Sequence, residues 1–391
     1  MRVTISETVK YIGVDDKTID LFESQYVVPH GVSYNSYLIL DEKVALMDTV
    51  DARGMEQWEK NLLEALDGRK VDYLVVSHLE PDHAGSIGRL VELFPEVTLV
   101  GNAKTFNMLP QFFDELPVDD DHKITVAEGD SLSLGTHTLN FYMAPMVHWP
   151  EVMVTYESSE KILFSADGFG KFGALDYEDP EGWSCEARRY YFNIVGKYGA
   201  PVQALLKKAA GLDIQTICPL HGPVLKENLG YYIGLYDTWS SYKPEDKGVL
   251  VAYASIHGNT AKAAQKFAEM LRAKGVEKVS VMDLSRDDMA EAVEDAFRYD
   301  RMVLAAASYD GGVFPCMQDF LHHLQSKAFQ NRTVGIIENG SWGPTAGRTM
   351  KGILETMKNI TIVDPMVTIR STMKDADLPA MEALADVIAN A

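Results

Sequence analysis

His78-Leu79-Glu80-Pro81-Asp82-His83 follows an apolar stretch, Val71–Val76, that is typical of a β-strand, with only Ser77 between them. The segment contains four good metal ligands: His78, Glu80, Asp82 and His83. Pro81 lacks an N–H group and resists continuation of a helix, so we predict a loop at the end of the strand. In an extended loop, alternate residues point the same way, which would turn the first three ligands toward one centre. The segment therefore predicts half of a two-metal site.

Three more candidate ligands lie downstream, each at the end of an apolar, strand-like stretch. They are His148 (in Met146–Pro150), Asp167 (in Phe164–Gly168) and His221 (in Cys218–Pro223). A single His near Gly and Pro, or a single Asp before Gly, is more often structural. Together, however, the seven side chains offer four imidazoles and three carboxylates. If one carboxylate bridges, that set supports two metals of four or five coordination with a place for water or substrate.

The pattern His-x-Glu-x-Asp-His, followed by His148, Asp167 and His221, resembles that of the metallo-β-lactamase superfamily. The hydrolases of that superfamily carry a second His where this chain has Glu80. A carboxylate in that position adds negative charge and favours iron or manganese over zinc. The exchange is the pattern of the flavodiiron proteins, in which a lactamase-like domain that holds two irons is followed by a flavodoxin-like domain.

The resemblance implies two Fe ions per subunit and a role for each ligand. His78, Glu80 and His148 would hold one iron, Asp82, His83 and His221 the other, and Asp167 would bridge them. In this family the residue equivalent to His83 can turn away and leave a water in its place. The segment Arg188–Asn193 resembles a family segment with a tyrosine near the irons as a proton source. Tyr190 and Tyr191 are therefore candidate catalytic residues; the sequence does not choose between them, and a purely structural role is the alternative.

The chain has 391 residues and is expected to form two domains. Its β-rich first part with interspersed helices is typical of two sheets packed face to face and flanked by helices. The polar, Pro-containing stretch Ser241–Gly248 predicts a boundary that gives domains 1–246 and 247–391. Beyond it, strict alternation of strands and helices predicts a doubly wound parallel sheet with a ligand at the carboxyl ends of its strands. The resemblance implies an α/β protein with a metallo-β-lactamase-like αββα sandwich followed by a flavodoxin-like sheet of order 2-1-3-4-5.

Three loops at predicted carboxyl ends of strands are candidates for cofactor binding. The first, Ser255-Ile256-His257-Gly258-Asn259-Thr260, brings hydroxyls, an amide and a glycine to the start of a helix. Backbone N–H groups and the helix dipole there can receive a phosphate without a cation. This junction lacks the GxxxxGK[ST] and GxGxxG patterns and resembles the FMN-phosphate loop of flavodoxins, although a plain helix N-cap would also explain it.

The other two loops are Ser308-Tyr309-Asp310-Gly311-Gly312 and Asn339-Gly340-Ser341-Trp342-Gly343. They combine aromatics with glycines, as holding a planar isoalloxazine ring requires. We predict FMN in this region, with Tyr309 and Trp342 stacking on the ring; for either residue the alternative is a cap on the core.

Composition restricts the partners and the compartment. A formal net charge of −21 argues against nucleic acid and anionic membranes, and no apolar run approaches the length of a membrane span. The cysteines (Cys185, Cys218 and Cys316) are odd in number and far apart, which favours a reducing cytoplasm and excludes a CxxC site. Since a fused rubredoxin needs such pairs, we expect the electrons to come from a separate donor.

From the resemblance we expect a cytoplasmic oxidoreductase that reduces O2 to water, NO to N2O, or both, with FMN relaying electrons from a rubredoxin or from reduced coenzyme F420. It also implies a head-to-tail homodimer, which places the FMN of one subunit beside the irons of the other, or a homotetramer. Two alternatives stay open. One is a dizinc lactamase-type hydrolase with an appended flavin domain, which Glu80 speaks against. The other is a redox shuttle or sensor in which only the flavodoxin part works, which leaves the ligand set unexplained.

Overall fold

The structure, a computed structural model, describes residues 5–113, 116 and 118–391. The chain divides into two compact units. The first runs as far as Tyr191 and includes Ala200–Tyr236, and the second consists of Phe192–Gly199 and Asp237–Ala391. The domain boundary at residues 246 and 247 stays a prediction. Among the described residues, no helix has both the length and the apolar character needed to cross a bilayer.

The first unit is built on two larger sheets and two short antiparallel strand pairs. Its strands are β1 (Val9–Tyr11), β2 (Val14–Asp16), β3 (Leu21–Phe22), β4 (Tyr26–Val27), β5 (Val32–Tyr34), β6 (Tyr37–Leu40), β7 (Val44–Met47), β8 (Tyr73–Val75), β9 (Thr98–Asn102), β10 (Lys123–Val126), β11 (Ser131–Ser133), β12 (Thr138–Met143), β13 (Met153–Glu157), β14 (Ile162–Phe164) and β15 (Thr216–Cys218). One sheet has the order β1-β6-β7-β8-β9-β10 and the other the order β11-β12-β13-β14-β15, while β2 pairs with β5 and β3 with β4.

The helices up to residue 240 are α1 (Met55–Leu66), α2 (Pro81–Ala84), α3 (Ile87–Leu93), α4 (Ala103–Met108), α5 (Trp183–Tyr190), α6 (Gly199–Ala209) and α7 (Leu229–Ser240). The apolar spacing in the sequence predicts an amphipathic helix near Met55–Leu66, and α1 has these bounds. Trp58, Leu62 and Leu66 recur at four-residue spacing and are its buried residues, as expected for an amphipathic helix. Side chains from both large sheets form one core, in which the rings of Tyr37 (β6) and Phe164 (β14) lie 5.5 Å apart. The predicted sandwich is therefore confirmed.

The prediction of a loop from His78 to His83 is wrong for the second half of this segment. Residues 81–84 form α2, with Pro81 in the first turn and Glu80 at the N-cap position. A proline is compatible with this position because the first N–H groups of a helix have no partner within the helix. The last two ligand candidates of the segment are therefore set by helical geometry rather than by an extended loop.

The second unit contains a mostly parallel sheet. Its strands are β16 (Asp246–Ala254), β17 (Val279–Asp283), β18 (Tyr299–Tyr309), β19 (Gly312–Val313), β20 (Gln330–Asn339), β21 (Lys358–Ile362) and β22 (Val367–Ile369). The sheet is parallel except for the short β19, which pairs antiparallel with β18. Its helices are α8 (Asn259–Ala273), α9 (Met289–Arg298), α10 (Pro315–Ser326), α11 (Ala346–Leu354) and α12 (Leu378–Asn390). The order β17-β16-β18-β20, with β21 and β22 both on the far side of β20, confirms the predicted 2-1-3-4-5 arrangement.

The last strand differs from the prediction of one strand over Thr361–Thr368. It is divided into β21 and β22, which pair with successive parts of β20. Pro365 lies between the two pieces and has no N–H group to donate to the ladder, which accounts for the interruption.

Candidate metal centre and cofactor cavity

The structure brings all seven predicted metal ligands together. His78 follows β8, and Glu80, Asp82 and His83 lie at the start of α2 or within it. The other three follow strands of the second sheet: His148 comes after β12, Asp167 after β14 and His221 after β15. A hydrogen bond from the Met153 N–H to the Ser77 carbonyl, 3.1 Å long, ties the two sheets together at this edge.

The ligands form two groups, each with ligand atoms that lie within 4.8 Å of one another. In the first group, the Glu80 Oε2 atom lies 3.2 Å from His78 Nε2 and 3.0 Å from His148 Nε2. In the second group, the Asp82 Oδ2 atom lies 3.2 Å from both His83 Nε2 and His221 Nε2. Each group thus combines two imidazoles with a carboxylate of its own.

Asp167 stands between the two groups and turns one oxygen to each. Its Oδ2 atom lies 3.4 Å from His78 Nε2 and 3.1 Å from His148 Nε2. Its Oδ1 atom lies 3.2 Å from His83 Nε2 and 3.8 Å from His221 Nε2. This is the geometry that a carboxylate bridging two cations needs.

The chemistry of this donor set fits a pair of metal ions. Within the described part of the chain, the buried oxygens of Asp82 and Asp167 make no hydrogen bond of good geometry, and the polar groups they face are imidazole nitrogens. Buried carboxylates need positive charge beside them, which protonated imidazoles supply in the metal-free protein and bound cations would supply in the loaded one. The mixture of imidazoles and carboxylates suits iron or manganese better than a thiolate-rich set would.

Two hydrogen bonds on the side of the imidazoles that faces away from the centre orient His78 and His221. The sequence analysis missed both acceptors. The His78 Nδ1–H donates to Glu151 Oε1 at 2.8 Å, and the His221 Nδ1–H donates to the Ser33 carbonyl at 2.8 Å. Both bonds leave the Nε2 atom free to face the centre, as is usual for metal-binding histidines. Glu151 lies three residues after His148, which is only a weak indication in the sequence that it belongs to the site. Nothing in the sequence links Ser33 to His221.

We expect Glu151 to strengthen metal binding through His78. Glu151→Gln removes the charge from the hydrogen bond while preserving its shape, and losses of about 10- to 100-fold in metal affinity are typical of such changes. Anaerobic competition between the protein and a chelator for Fe(II) measures the effect. Glu157→Gln is the matched control, because Glu157 is also fully buried and lies 3.1 Å from His137. Equal losses in both variants would contradict the assignment.

Proximity to the carboxylates changes the protonation of the imidazoles in the metal-free protein. Burial alone would lower the pKa of His78, but the charge of Asp167 and hydrogen bonds to Glu151 and Glu80 raise it to about 9. For His148, the lowering by burial is likewise outweighed by Asp167 and Glu80, which raise its pKa to about 10. Metal ions therefore have to displace protons from this group.

The stability of the metal-free protein should consequently fall at alkaline pH. A pKa raised above 6.5 in the folded state stabilises the fold fully below pH 6.5, and this contribution is lost as the pH rises through about 9 to 10. Calorimetry of chelator-treated protein between pH 6.5 and 10 measures the decline in unfolding temperature. His148→Gln should make the decline shallower; a wild-type protein with no decline in this range would disprove the coupling.

The structure distinguishes the two candidate tyrosines. The ring of Tyr190 lies 5.4 Å from the ring of His221, whereas Tyr191 packs at 5.1 Å against Tyr236. Burial and the charges of Asp167 and Asp82 raise the pKa of Tyr190 well above its usual value. Tyr190 is therefore the tyrosine that lies beside the candidate metal ligands and retains its proton.

A second candidate site lies in the second unit, where the three predicted loops border a cavity of about 390 Å³. Of the predicted residues, Gly258 and Gly312 belong to the loops but do not line it. Those that do are Ser255, Ile256, His257, Asn259, Thr260, Ser308, Tyr309, Asp310, Gly311, Asn339, Gly340, Ser341, Trp342 and Gly343. No Lys or Arg lines the cavity among the described residues.

Backbone geometry adapts the first loop to a phosphate. Gly258 has a φ of +86°, which glycine adopts without strain, and its N–H donates to Ser255 Oγ at 3.1 Å. In the described structure, α8 begins directly after it without a capping side chain, so its first N–H groups are available to an anion. Trp342 is 95% exposed, which does not fit a cap on the core, whereas Tyr309 is 44% exposed and its ring lies 5.5 Å from that of Phe314.

Three further residues line the cavity that the sequence analysis missed: Ala307, Thr345 and Ser371. The Ser371 N–H donates to Asn339 Oδ1 at 2.9 Å, and the Thr345 N–H donates to Ser308 Oγ at 2.8 Å, so both join predicted loops. Ser371 follows the last strand of the sheet, and the rule that ligands bind at the carboxyl ends of strands would have found it.

Comparison with known proteins gives matches to both units. The profile of the ODP family beta lactamase matches residues 32–222, and that of a flavodoxin domain matches residues 250–357. An uncharacterized protein of Methanocaldococcus jannaschii is 31% identical over 97% of this chain and 95% of its own. An anaerobic nitric oxide reductase flavorubredoxin of Aliivibrio salmonicida is 30% identical over 88% of this chain and 70% of its own.

A solved structure extends the likeness over the entire chain. The rubredoxin oxygen:oxidoreductase of the anaerobe Desulfovibrio gigas has a TM-score of 0.92 and 26% identity, and the match covers 100% of this chain and 98% of that one. A lactamase-like unit with a Glu-containing ligand set, followed by a flavodoxin-like unit, is the arrangement that the sequence analysis anticipated. The chain belongs to the flavodiiron protein family.

Proposed function

We propose that this protein is an oxidoreductase that reduces O2 to water, NO to N2O, or both, at a pair of iron ions, with FMN relaying electrons from an external donor. The observation that carries the proposal is the position of Asp167 between two ligand groups, one of which contains Glu80. Relatives named for the reduction of NO and of oxygen support it.

We infer that His78, Glu80 and His148 hold one iron, that Asp82, His83 and His221 hold the other, and that Asp167 bridges them. The inward direction of the His83 Nε2 atom, 3.2 Å from both Asp82 and Asp167, supports its inclusion. When bound, the irons supply the redox chemistry and the coordination of the diatomic substrate. The carboxylates of the chain offset the charge of the cations, while Glu151 and the Ser33 carbonyl keep the imidazoles oriented. The buried, protonated Tyr190 holds a proton beside this centre.

For FMN, we infer that the phosphate binds at the start of α8 and that the ring lies against Tyr309 and Trp342. The lack of Lys and Arg among the described lining residues supports a phosphate held by N–H and hydroxyl groups alone. We propose a rubredoxin-type electron donor, with reduced coenzyme F420 as the other candidate. A head-to-tail homodimer or a homotetramer, and a cytoplasmic location, stay predictions; sedimentation of the FMN-loaded and iron-loaded protein tests the oligomeric state.

Anaerobic reconstitution with Fe(II) and FMN tests the proposal. Two iron ions per chain and consumption of O2 or NO with a reduced donor are expected, measured by metal analysis and with gas electrodes. Parallel assays with rubredoxin and reduced F420 identify the donor. The dizinc hydrolase predicts two zinc ions per chain and hydrolysis of β-lactam or thioester probes. That outcome, without consumption of either gas, would refute the proposed activity.

A further inference from the structure

Ser371 has a backbone conformation that is unusual for a serine, and it borders the cofactor cavity of the second unit. It lies two residues after β22, and its φ angle is +64°. Glycine adopts such an angle without strain, whereas a residue with a Cβ atom rarely does. Residues kept in such conformations are concentrated at ligand sites, where the surrounding structure holds them in place.

The side chain of Asn339 holds the backbone of Ser371 in this conformation. Asn339 Nδ2 donates to the Ser371 carbonyl at 2.8 Å, and the Ser371 N–H donates to Asn339 Oδ1 at 2.9 Å. Asn339 is the last residue of β20 and is only 6% exposed, so it is a firm support. Because one buried amide binds both backbone polar groups of Ser371, the hydroxyl is the polar group that this residue can offer to a ligand.

That hydroxyl lies at the start of α8. Asn259, the first residue of the helix, points its Nδ2 atom at Ser371 Oγ from 3.5 Å. A serine oxygen that faces an N–H donor keeps its own hydrogen for another acceptor. The described residues offer no acceptor for that hydrogen, and both side chains line the cavity. The hydroxyl hydrogen is therefore available to a ligand at the end of the cavity where α8 begins.

The chemistry of the cavity makes such a donor valuable to a phosphate. No Lys or Arg lines it among the residues that the structure describes, so N–H and O–H groups have to stabilise an anion there. A hydrogen bond to an ionised acceptor is roughly twice as strong as one between neutral groups. A hydroxyl at this point therefore contributes more to the binding of a phosphorylated flavin than to that of a flavin without phosphate.

We propose that Ser371 is a cofactor-binding residue whose hydroxyl donates to the phosphate of FMN, so that a residue at the end of the last strand completes the phosphate site at the start of α8. It thereby increases the preference of the cavity for FMN over riboflavin. The inference rests on the proposed function, since it requires FMN to bind in this cavity with its phosphate at α8.

Titration of the flavin-free, full-length protein with FMN and with riboflavin tests the inference, with dissociation constants measured by flavin fluorescence. Ser371→Ala should bind FMN roughly tenfold more weakly than the wild type, as expected for the loss of a hydrogen bond to a charged group. Its affinity for riboflavin should not change. Ser371→Gly should behave in the same way, and because glycine tolerates the positive φ angle it should not lower the unfolding temperature.

Thr372→Val is the matched control, because the exposed Thr372 is the next residue, does not line the cavity and loses its hydroxyl with little change in size. It should bind both flavins as the wild type does.

The combination of the two flavins and three variants separates the possible failures. Weaker binding of FMN alone, in both Ser371 variants and not in Thr372→Val, supports the inference. Unchanged FMN affinity in either Ser371 variant, an equal loss for FMN and riboflavin, or the same loss in Thr372→Val overturns it and leaves the proposed function intact. A wild-type protein that binds no FMN overturns both.

Discussion

Replacing Asp167 by Ala is expected to abolish the reduction of O2 and NO, with a loss of at least about 100-fold in turnover and a fall in iron content, while FMN binding persists. The reason is that the two Asp167 oxygens face the two ligand groups separately, so a single substitution removes a ligand from each. It also removes the charge that offsets two cations in a site with almost no solvent exposure, where unpaired charges typically cost several kcal/mol. Gas-electrode assays, iron analysis and flavin absorption of the reconstituted variant measure the three effects.

Asp167→Asn extends this test, because it preserves the size of the side chain and removes the charge. We expect it to lose most of the iron as well, which would attribute the effect to charge and bridging rather than to a cavity. Asp213→Asn is the control, since Asp213 is an exposed carboxylate that pairs with Lys161 elsewhere in the same unit. Full turnover and full iron content in Asp167→Ala would show that the bridging assignment is wrong.

The second large effect is expected for Asn259→Asp, at the first position of α8. A negative charge at a helix N-terminus stabilises the helix by about 0.3–1 kcal/mol, so the fold should become slightly more stable. The same charge repels the phosphate of FMN and should weaken its binding by roughly 30- to 100-fold. Stability and cofactor affinity therefore change in opposite directions, which a general disruption of the fold cannot produce. Thermal unfolding of the flavin-free protein and fluorescence titration with FMN measure both.

Riboflavin provides the decisive control for this variant, because it carries the same ring without the phosphate. Its affinity should be the same in the wild type and in Asn259→Asp. Asn259→Ser, which introduces no charge, should bind FMN within a few-fold of the wild type. A loss of affinity that is equal for FMN and riboflavin would place the phosphate somewhere other than the start of α8.

Much of the architecture could be predicted because it depends on local patterns. The α1 helix is found where its apolar spacing predicts it, and the strand–helix alternation after residue 246 predicts the doubly wound sheet. The sequence led to a wrong prediction, or left a choice open, where a local rule had two outcomes. Pro81 can end a loop or begin a helix, and it begins one. Tyr190 and Tyr191 are neighbours of the same type, and only the direction in which the helix presents each ring separates them.

The sequence by itself determined the chemical nature of the candidate sites. The type of each ligand is given by the residue itself, and its position at the end of a strand can be recognised from the residues next to it. It thus identified the seven candidate ligands and the three loops, whose binding of iron and FMN stays a proposal. Only the tertiary structure decided that Asp167 divides its oxygens between two groups and that Glu151 orients His78. These relations join residues far apart in the chain, and their distances depend on how the strands pair and pack rather than on any local pattern.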